Sequence, residues 1–172
     1  MNEEPTIAPD LKQLAATAKE VVVQATERRL RLATVESCTG GLVAHLLTEV
    51  PGASQVLETG WVCYSNEAKI RLLGVSKQVL LEHGAVSEQV AQALSVGGLT
   101  RIGADLVVST TGIAGPTGAT PGKPVGLMWC ALSNEHETTS LRVLRPGLDR
   151  SATKRAFAGA ALQHMLERLG TL

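Results

Sequence analysis

Residues 34–47 read TVESCTGGLVAHLL. An apolar run closes on Glu36-Ser37-Cys38-Thr39, two glycines follow, and an amphipathic run begins. A strand-to-helix turn needs one capping hydroxyl and at most one glycine. This one holds two hydroxyls, a thiol, a carboxylate and the pair Gly40-Gly41. In the bland reading Ser37 or Thr39 caps the helix, which accounts for one hydroxyl and leaves the glycine pair without a reason. In the functional reading a ligand or a reactive group sits there. Ligands of open α/β sheets bind where strand carboxyl ends meet helix N-termini. Free N–H groups and the helix dipole favour an anion at such a point, and glycines admit a close approach to the backbone. Ser37 is then a candidate nucleophile presented on a tight turn.

Outward from this turn the chain reads as alternating helices and strands. Toward the N-terminus, apolar residues recur at helical spacing from Pro9 to about Arg29, and LRLATVE (30–36) reads as a strand. Residues 1–8 are expected to fray. Toward the C-terminus, a helix is expected from about Thr39 to Thr48, stopped by Pro51-Gly52. VLETGWVCYS (56–65) is a second strand. Ser65-Asn66 cap a short helix that ends at Gly74, Ser76 caps another through about Glu82, and Ser87 opens a longer one through 103. ADLVVSTTG (104–112) is a third strand, followed by a glycine- and proline-rich loop to Pro124. VGLMWCALS (125–133) and TTSLRVLR (138–145) read as a hairpin about NEHE. DRSATKRAFAGAALQHMLERLG (149–170) closes the chain as an amphipathic helix. The order α-β-α-β-α-α-α-β-β-β-α predicts an α/β fold with a mixed sheet of about five strands between helix layers, because an antiparallel hairpin sits beside parallel crossovers. No repeat or linker interrupts residues 9–172, which are expected to form one domain.

Composition narrows the function classes. The 172 residues are 44% apolar, enough for a proper core, and no continuous apolar run approaches the length of a membrane span. The acidic start MNEEPTIAPD is unlike a signal peptide, so the expected setting is soluble and cytoplasmic, with no membrane partner. Cys38, Cys63 and Cys130 lack CxxC spacing and read as reduced thiols. The formal net charge is zero and the aromatics are only Trp61, Tyr64, Trp129 and Phe157, which argues against a nucleic-acid partner.

A serine at its ordinary pKa needs a base. His45, His83, His136 and His164 are scattered, and each reads as a surface or satisfied histidine. Lys69 falls in the first turn of the helix that Ser65 or Asn66 caps, where the dipole disfavours a cation; buried there, it would have a lowered pKa. A neutral lysine can take the serine proton, and Tyr64, at the end of the preceding strand, could complete the proton path. The bland alternative is a solvated lysine beside Glu67. STTGIAGPTGATPGKPVG (109–126) is a candidate ligand loop or a surface loop of turns. It is not a Walker motif, since Gly122-Lys123 is followed by Pro124 and Thr117 stands at the first required glycine. Arg150, Lys154 and Arg155 crowd the start of the last helix, where cations oppose the dipole unless an anion such as phosphate joins them; otherwise this is a solvated basic turn capped by Asp149. No His/Asp/Glu cluster has metal-ligand spacing, so no metal is expected.

Six stretches in order, ESCTGG (36–41), G-W-V-x-YSNEAK (60–69), LGV (73–75), HGAVSE (83–88), TGIAGP (111–116) and KPVG (123–126), resemble the CinA C-terminal domain family of competence/damage-inducible CinA-like proteins. The resemblance covers about residues 10–169. It implies a three-layer α/β/α domain, often a homodimer or higher homo-oligomer. It also implies a cofactor-free amidohydrolase that converts nicotinamide mononucleotide, a pyridine nucleotide, to nicotinate mononucleotide and ammonia. Carried over by motif, Ser37 is the nucleophile, and Tyr64 and Lys69 assist it. Thr111, with Gly112 and Gly115 of the same motif, and Arg150 belong to the substrate site. Thr39, Gly40 and Gly41 would offer N–H groups to a phosphate or to an oxyanion. Some members carry an additional N-terminal molybdopterin-binding-like domain, and none is expected within these residues.

The chain departs from the family pattern at three places. GPTGA, with Thr117 and Ala119, stands where GPDGG is usual. Leu148 interrupts the usual GDR turn, and Lys154 replaces an arginine, keeping charge without a bidentate fork. Two alternatives to the serine amidase stay open. One is a nucleotide-binding CinA-like module without turnover, tied to competence or DNA damage. The other is a thiol hydrolase using Cys38, whose side chain should point away from that of Ser37.

Overall fold

The computed structural model describes residues 7–172; of the stretch expected to fray, residues 1–6 lie outside the described residues. The elements follow the expected order: α1 (Leu11–Arg28), β1 (Leu32–Glu36), α2 (Leu42–Thr48), β2 (Leu57–Val62), α3 (Asn66–Leu73), α4 (Lys77–His83), α5 (Glu88–Ile102), β3 (Leu106–Gly112), β4 (Leu127–Ser133), β5 (Thr138–Leu144) and α6 (Arg150–Leu169). A 3-10 turn at Ala53–Gln55 follows Pro51-Gly52. Ser65, Ser76, Ser87 and Asp149 cap their helices by accepting from the N–H groups of Ala68, Gln78, Val90 and Ala152.

The strands form one mixed sheet in the order β2-β1-β3-β4-β5. β1 runs parallel to both β2 and β3, and β4 and β5 add as the antiparallel hairpin. α1, α2 and α6 pack on one face around Leu14, Val21, Leu47, Phe157, Leu162 and Met165, with Leu32, Leu106 and Val108 of the sheet beneath them. Helices α3 to α5 cover the other face around Leu73, Val90 and Leu94, over Ala33, Val35 and Val107. The central strands therefore lie buried on both sides, and the polar residues they carry toward their carboxyl ends, Glu36 of β1 and Ser109, Thr110 and Thr111 of β3, are buried with them. Among the described residues no helix is long and apolar enough to cross a membrane.

The chain leaves β1 by α2 toward β2, then returns by α3–α5 on the opposite face to β3. The order reverses beside β1, which makes the crevice beyond β1 and β3 the topological switch point. Register brings three strand ends level there, since Glu36 pairs with both Val62 and Thr110.

Two boundaries depart from the sequence reading: β2 ends at Val62, three residues before the expected Ser65, which caps α3 instead, and the start of α2 moves. α2 begins at Leu42, not at Thr39. Gly40 and Gly41 have φ of 65° and 92°, a left-handed conformation that ordinary residues resist and that an α-helix cannot contain. The glycine pair thus makes a separate turn, 37–41, between strand and helix.

Candidate active site

That turn carries Ser37 at the carboxyl end of β1. Its N–H donates to the Thr110 carbonyl at 3.0 Å, which extends the β1–β3 ladder by one residue. Neither Ser37 nor Thr39 caps α2. The N-cap is Gly41, without a side-chain hydrogen bond of its own. The α2 N-terminus is instead occupied by Glu36, whose carboxylate accepts from the N–H groups of Gly41, Val43 and Ala44 at 2.9, 3.1 and 2.8 Å. The Gly40 N–H donates to the Ser37 carbonyl at 3.2 Å. The Gly40 and Gly41 N–H groups expected to meet a substrate anion are therefore already engaged. Thr39 turns its hydroxyl to that of Thr110, 2.7 Å away. The Cys38 and Thr39 N–H groups have no oxygen acceptor among the described hydrogen bonds and lie instead toward the Cys38 sulfur, where they favour its anion against the larger effect of burial.

Lys69 reaches Ser37 from α3, 32 residues along the chain. Its Nζ lies 3.1 Å from Ser37 Oγ and donates to the carbonyls of Cys63 and Tyr64, each at 2.9 Å. Lys69 is 1% exposed, so the solvated-lysine alternative does not hold. Burial holds its pKa below the ordinary 10.5, opposed by the Cys63 and Cys38 thiols. The direction is the one expected, but desolvation rather than the helix dipole is the main cause. Glu67, its neighbour in α3, is exposed and makes no ion pair with it.

Tyr64 joins the cluster differently from the expectation. Its carbonyl contacts Lys69, while the residue as a whole is 61% exposed and its phenol oxygen accepts from Arg150 Nη2 at 3.2 Å. No described hydrogen bond links the phenol to Ser37 or Lys69. Arg150 also donates from Nη1 to the Gly115 carbonyl at 2.6 Å, so it clasps the 112–126 loop to the end of β2 despite the inserted Leu148. Lys154 lies over the turn: a Cβ on Gly40 would come within 3.2 Å of its Nζ. Arg155 points elsewhere, to Ser151 and the Pro9 carbonyl.

Thr111 donates its hydroxyl to the Ala85 carbonyl at 2.6 Å, and Lys123 Nζ is hydrogen-bonded to the His83 carbonyl. TGIAGP and KPVG therefore brace HGAVSE, and the Thr111 proton is engaged away from Ser37. Gly112 is needed for close approach, because a Cβ there would meet the Leu127 carbonyl oxygen at 2.7 Å and Cys38 Sγ at 3.1 Å.

Cys38 sits in the core beneath α1, α2 and α6, the face opposite Lys69. Burial pushes its thiol up to about 12, which keeps it protonated at neutral pH and argues against a thiolate nucleophile. Burial also raises the Cys63 and Cys130 thiols. None of the four histidines hydrogen-bonds Ser37 or Lys69 among the described residues; His164, its pKa lowered by burial, faces Thr139. No three His, Cys, Asp or Glu side chains gather as a metal site among the described residues.

The sequence reading notes the Glu36 carboxylate but gives no role to it or to Thr110. Both sit one residue from an expected site residue. A carboxylate at a strand end, followed within a few residues by a helix that has no capping side chain, was the available signal for the first.

The family model for the CinA C-terminal domain matches residues 14–169. A CinA-like protein of Akkermansia muciniphila is 45% identical over 153 residues, and one of Chlorobaculum tepidum is 48% identical over 158; each comparison covers 89% of this chain. The chain spans only 37% of the length of each of these curated relatives. Among crystal structures, the competence/damage-inducible protein CihA of Agrobacterium tumefaciens superposes with a TM-score of 0.89 at 36% identity, covering 95% of this chain and 98% of that one. A CinA superfamily protein of Klebsiella pneumoniae gives 0.88 at 33% identity, covering 92% and 99%. Sequence and fold agree over nearly the whole chain, and the chain belongs to the CinA C-terminal domain family.

Proposed function

We propose that this chain hydrolyses the carboxamide of nicotinamide mononucleotide, with Ser37 as nucleophile and Lys69 as its base. One observation carries the reading: a buried lysine nitrogen without an acidic partner lies 3.1 Å from a serine oxygen at the switch point of the sheet. Two backbone carbonyls take two N–H groups of Lys69. A neutral amine has just two, so its lone pair faces Ser37 Oγ and accepts the hydroxyl proton.

Ser37 Oγ then attacks the amide carbon as its proton passes to Lys69. Lys69 returns the proton to the leaving nitrogen, ammonia departs, and an ester on Ser37 remains. Water attacks the ester with Lys69 again as base, which releases the carboxylic acid and restores the serine. Lys154, over the turn, and Arg150, between the Gly115 carbonyl and the Tyr64 phenol, supply positive charge for a substrate phosphate. The pyridine nucleotide as substrate rests on the family resemblance.

The test is release of ammonia and nicotinate mononucleotide from nicotinamide mononucleotide by purified protein, compared with Ser37→Ala. Turnover by wild type and none by the variant is the expected result. No ammonia from wild type would remove nicotinamide mononucleotide as substrate, and equal turnover by Ser37→Ala would remove Ser37 as nucleophile.

A further inference from the structure

We propose that Glu36 is the positioning residue for this site and sets the distance between Ser37 and Lys69; the proposal rests on reading Ser37 as the nucleophile. Glu36 is 1% exposed. One carboxylate oxygen, Oε2, accepts from Gly41 and Val43, and Oε1 accepts from Ala44 and, at 3.4 Å, from Thr34 Oγ1. The residue immediately before the nucleophile thus bonds the first turn of the helix after it. Residues 37–41 become a closed ring between the Glu36 backbone and its own side chain, and Ser37 is the first member of that ring.

The Glu36 backbone carbonyl ties the other half of the site. It accepts from the Cys63 N–H at 2.8 Å, and Cys63 in turn offers its carbonyl to Lys69 Nζ. One residue therefore holds both the turn that carries the nucleophile and the peptide that carries the base. The negative charge is met by the N–H groups of α2, where a helix end favours an anion. Glu36 makes no hydrogen bond to Lys69, so it orients the base without supplying a counter-charge that would hold its proton.

A plain helix cap would affect stability alone. Positioning affects the reactivity of Ser37, which can be read without any amide substrate. A fluorophosphonate reports it: Ser37 Oγ bonds to phosphorus, fluoride leaves, and the serine proton goes to Lys69. The rate of phosphonylation, followed by intact mass and located by peptide mapping, is compared for wild type, Glu36→Gln, Thr34→Val and Asp10→Ala. Glutamine can still accept from Gly41 and Val43 but turns an NH₂ toward the Ala44 N–H. Asp10 caps α1 by accepting from the Gln13 N–H and serves as the control for loss of a carboxylate cap.

The expected result for Glu36→Gln is labelling slower by about tenfold or more. Its kcat for nicotinamide mononucleotide should fall by a similar factor, with KM within about twofold. Asp10→Ala should lose melting temperature and label at the wild-type rate. If Glu36→Gln does not fold, Thr34→Val removes one contact to the carboxylate and should slow labelling by about twofold to fivefold. Wild-type labelling rates in Glu36→Gln, or in Thr34→Val where only that variant folds, would overturn the proposal. So would slowing in Asp10→Ala that matches Glu36→Gln at equal loss of melting temperature. A wild-type protein whose Ser37 is not labelled removes the nucleophile and Glu36's role with it. Labelling without amide turnover rejects only the substrate and leaves the Glu36 comparison intact.

Discussion

Lys69 holds Tyr64 by its carbonyl oxygen, 2.9 Å from Nζ, and the Tyr64 phenol is hydrogen-bonded by Arg150 instead. The carbonyl survives any substitution of the side chain. Tyr64→Phe should therefore keep kcat within about threefold and act mainly on KM, through the loosened Arg150 clasp. Were the phenol a proton relay, kcat would drop on the order of 10²-fold or more. Steady-state kinetics of the one variant separate the two roles.

Lys69→Arg tests the base. Arginine keeps a positive charge and cannot be deprotonated near neutral pH. Its kcat should fall on the order of 10³-fold. In wild type, kcat should rise with pH through the lowered pKa of Lys69 and then level, because only the neutral amine accepts the serine proton. A variant with near-normal kcat, or a flat wild-type profile through the alkaline range, would show that Lys69 acts by charge alone.

The same lowered pKa makes a prediction about folding. Between its folded value and the ordinary 10.5, the unfolded chain binds more protons at Lys69 than the folded chain. Its contribution to stability is therefore fully present above 10.5 and is lost as pH falls through the folded value. Urea denaturation across this window should show wild type gaining on Lys69→Met as pH rises. A constant difference between the two proteins would mean that Lys69 keeps its ordinary proton affinity when folded.

Ser37 and Cys38 are adjacent but face opposite layers, one toward Lys69 and the other into the core under α1, α2 and α6. Ser37→Ala should abolish turnover with little change in melting temperature. Cys38→Ala should retain most activity and cost about 1 kcal/mol of stability for the lost core volume. Paired activity and thermal-melting measurements check both, and an inactive Cys38→Ala beside an active Ser37→Ala would restore the thiol mechanism.

Secondary structure was legible because its signals are local. Ser65, Ser76, Ser87 and Asp149 cap helices within three residues of themselves, and the alternation and runs of LRLATVE and ADLVVSTTG mark strands wherever those strands lie in the sheet. The residue types at 37 and 69 were legible as chemistry, and six ordered motifs identified the family. Their separation was not, since 3.1 Å across 32 residues depends on the register that sets Glu36 level with both Val62 and Thr110. The α2 cap shows the same limit. Ser37 and Thr39 had the right hydroxyls at the right spacing, yet Thr39 bonds Thr110 on the neighbouring strand and the N–H groups went to Glu36. Local sequence offers donors and acceptors, and strand order and register decide which of them meet. Which groups cap a helix and which reach a nucleophile is therefore settled only when residues far apart in the chain are packed against one another.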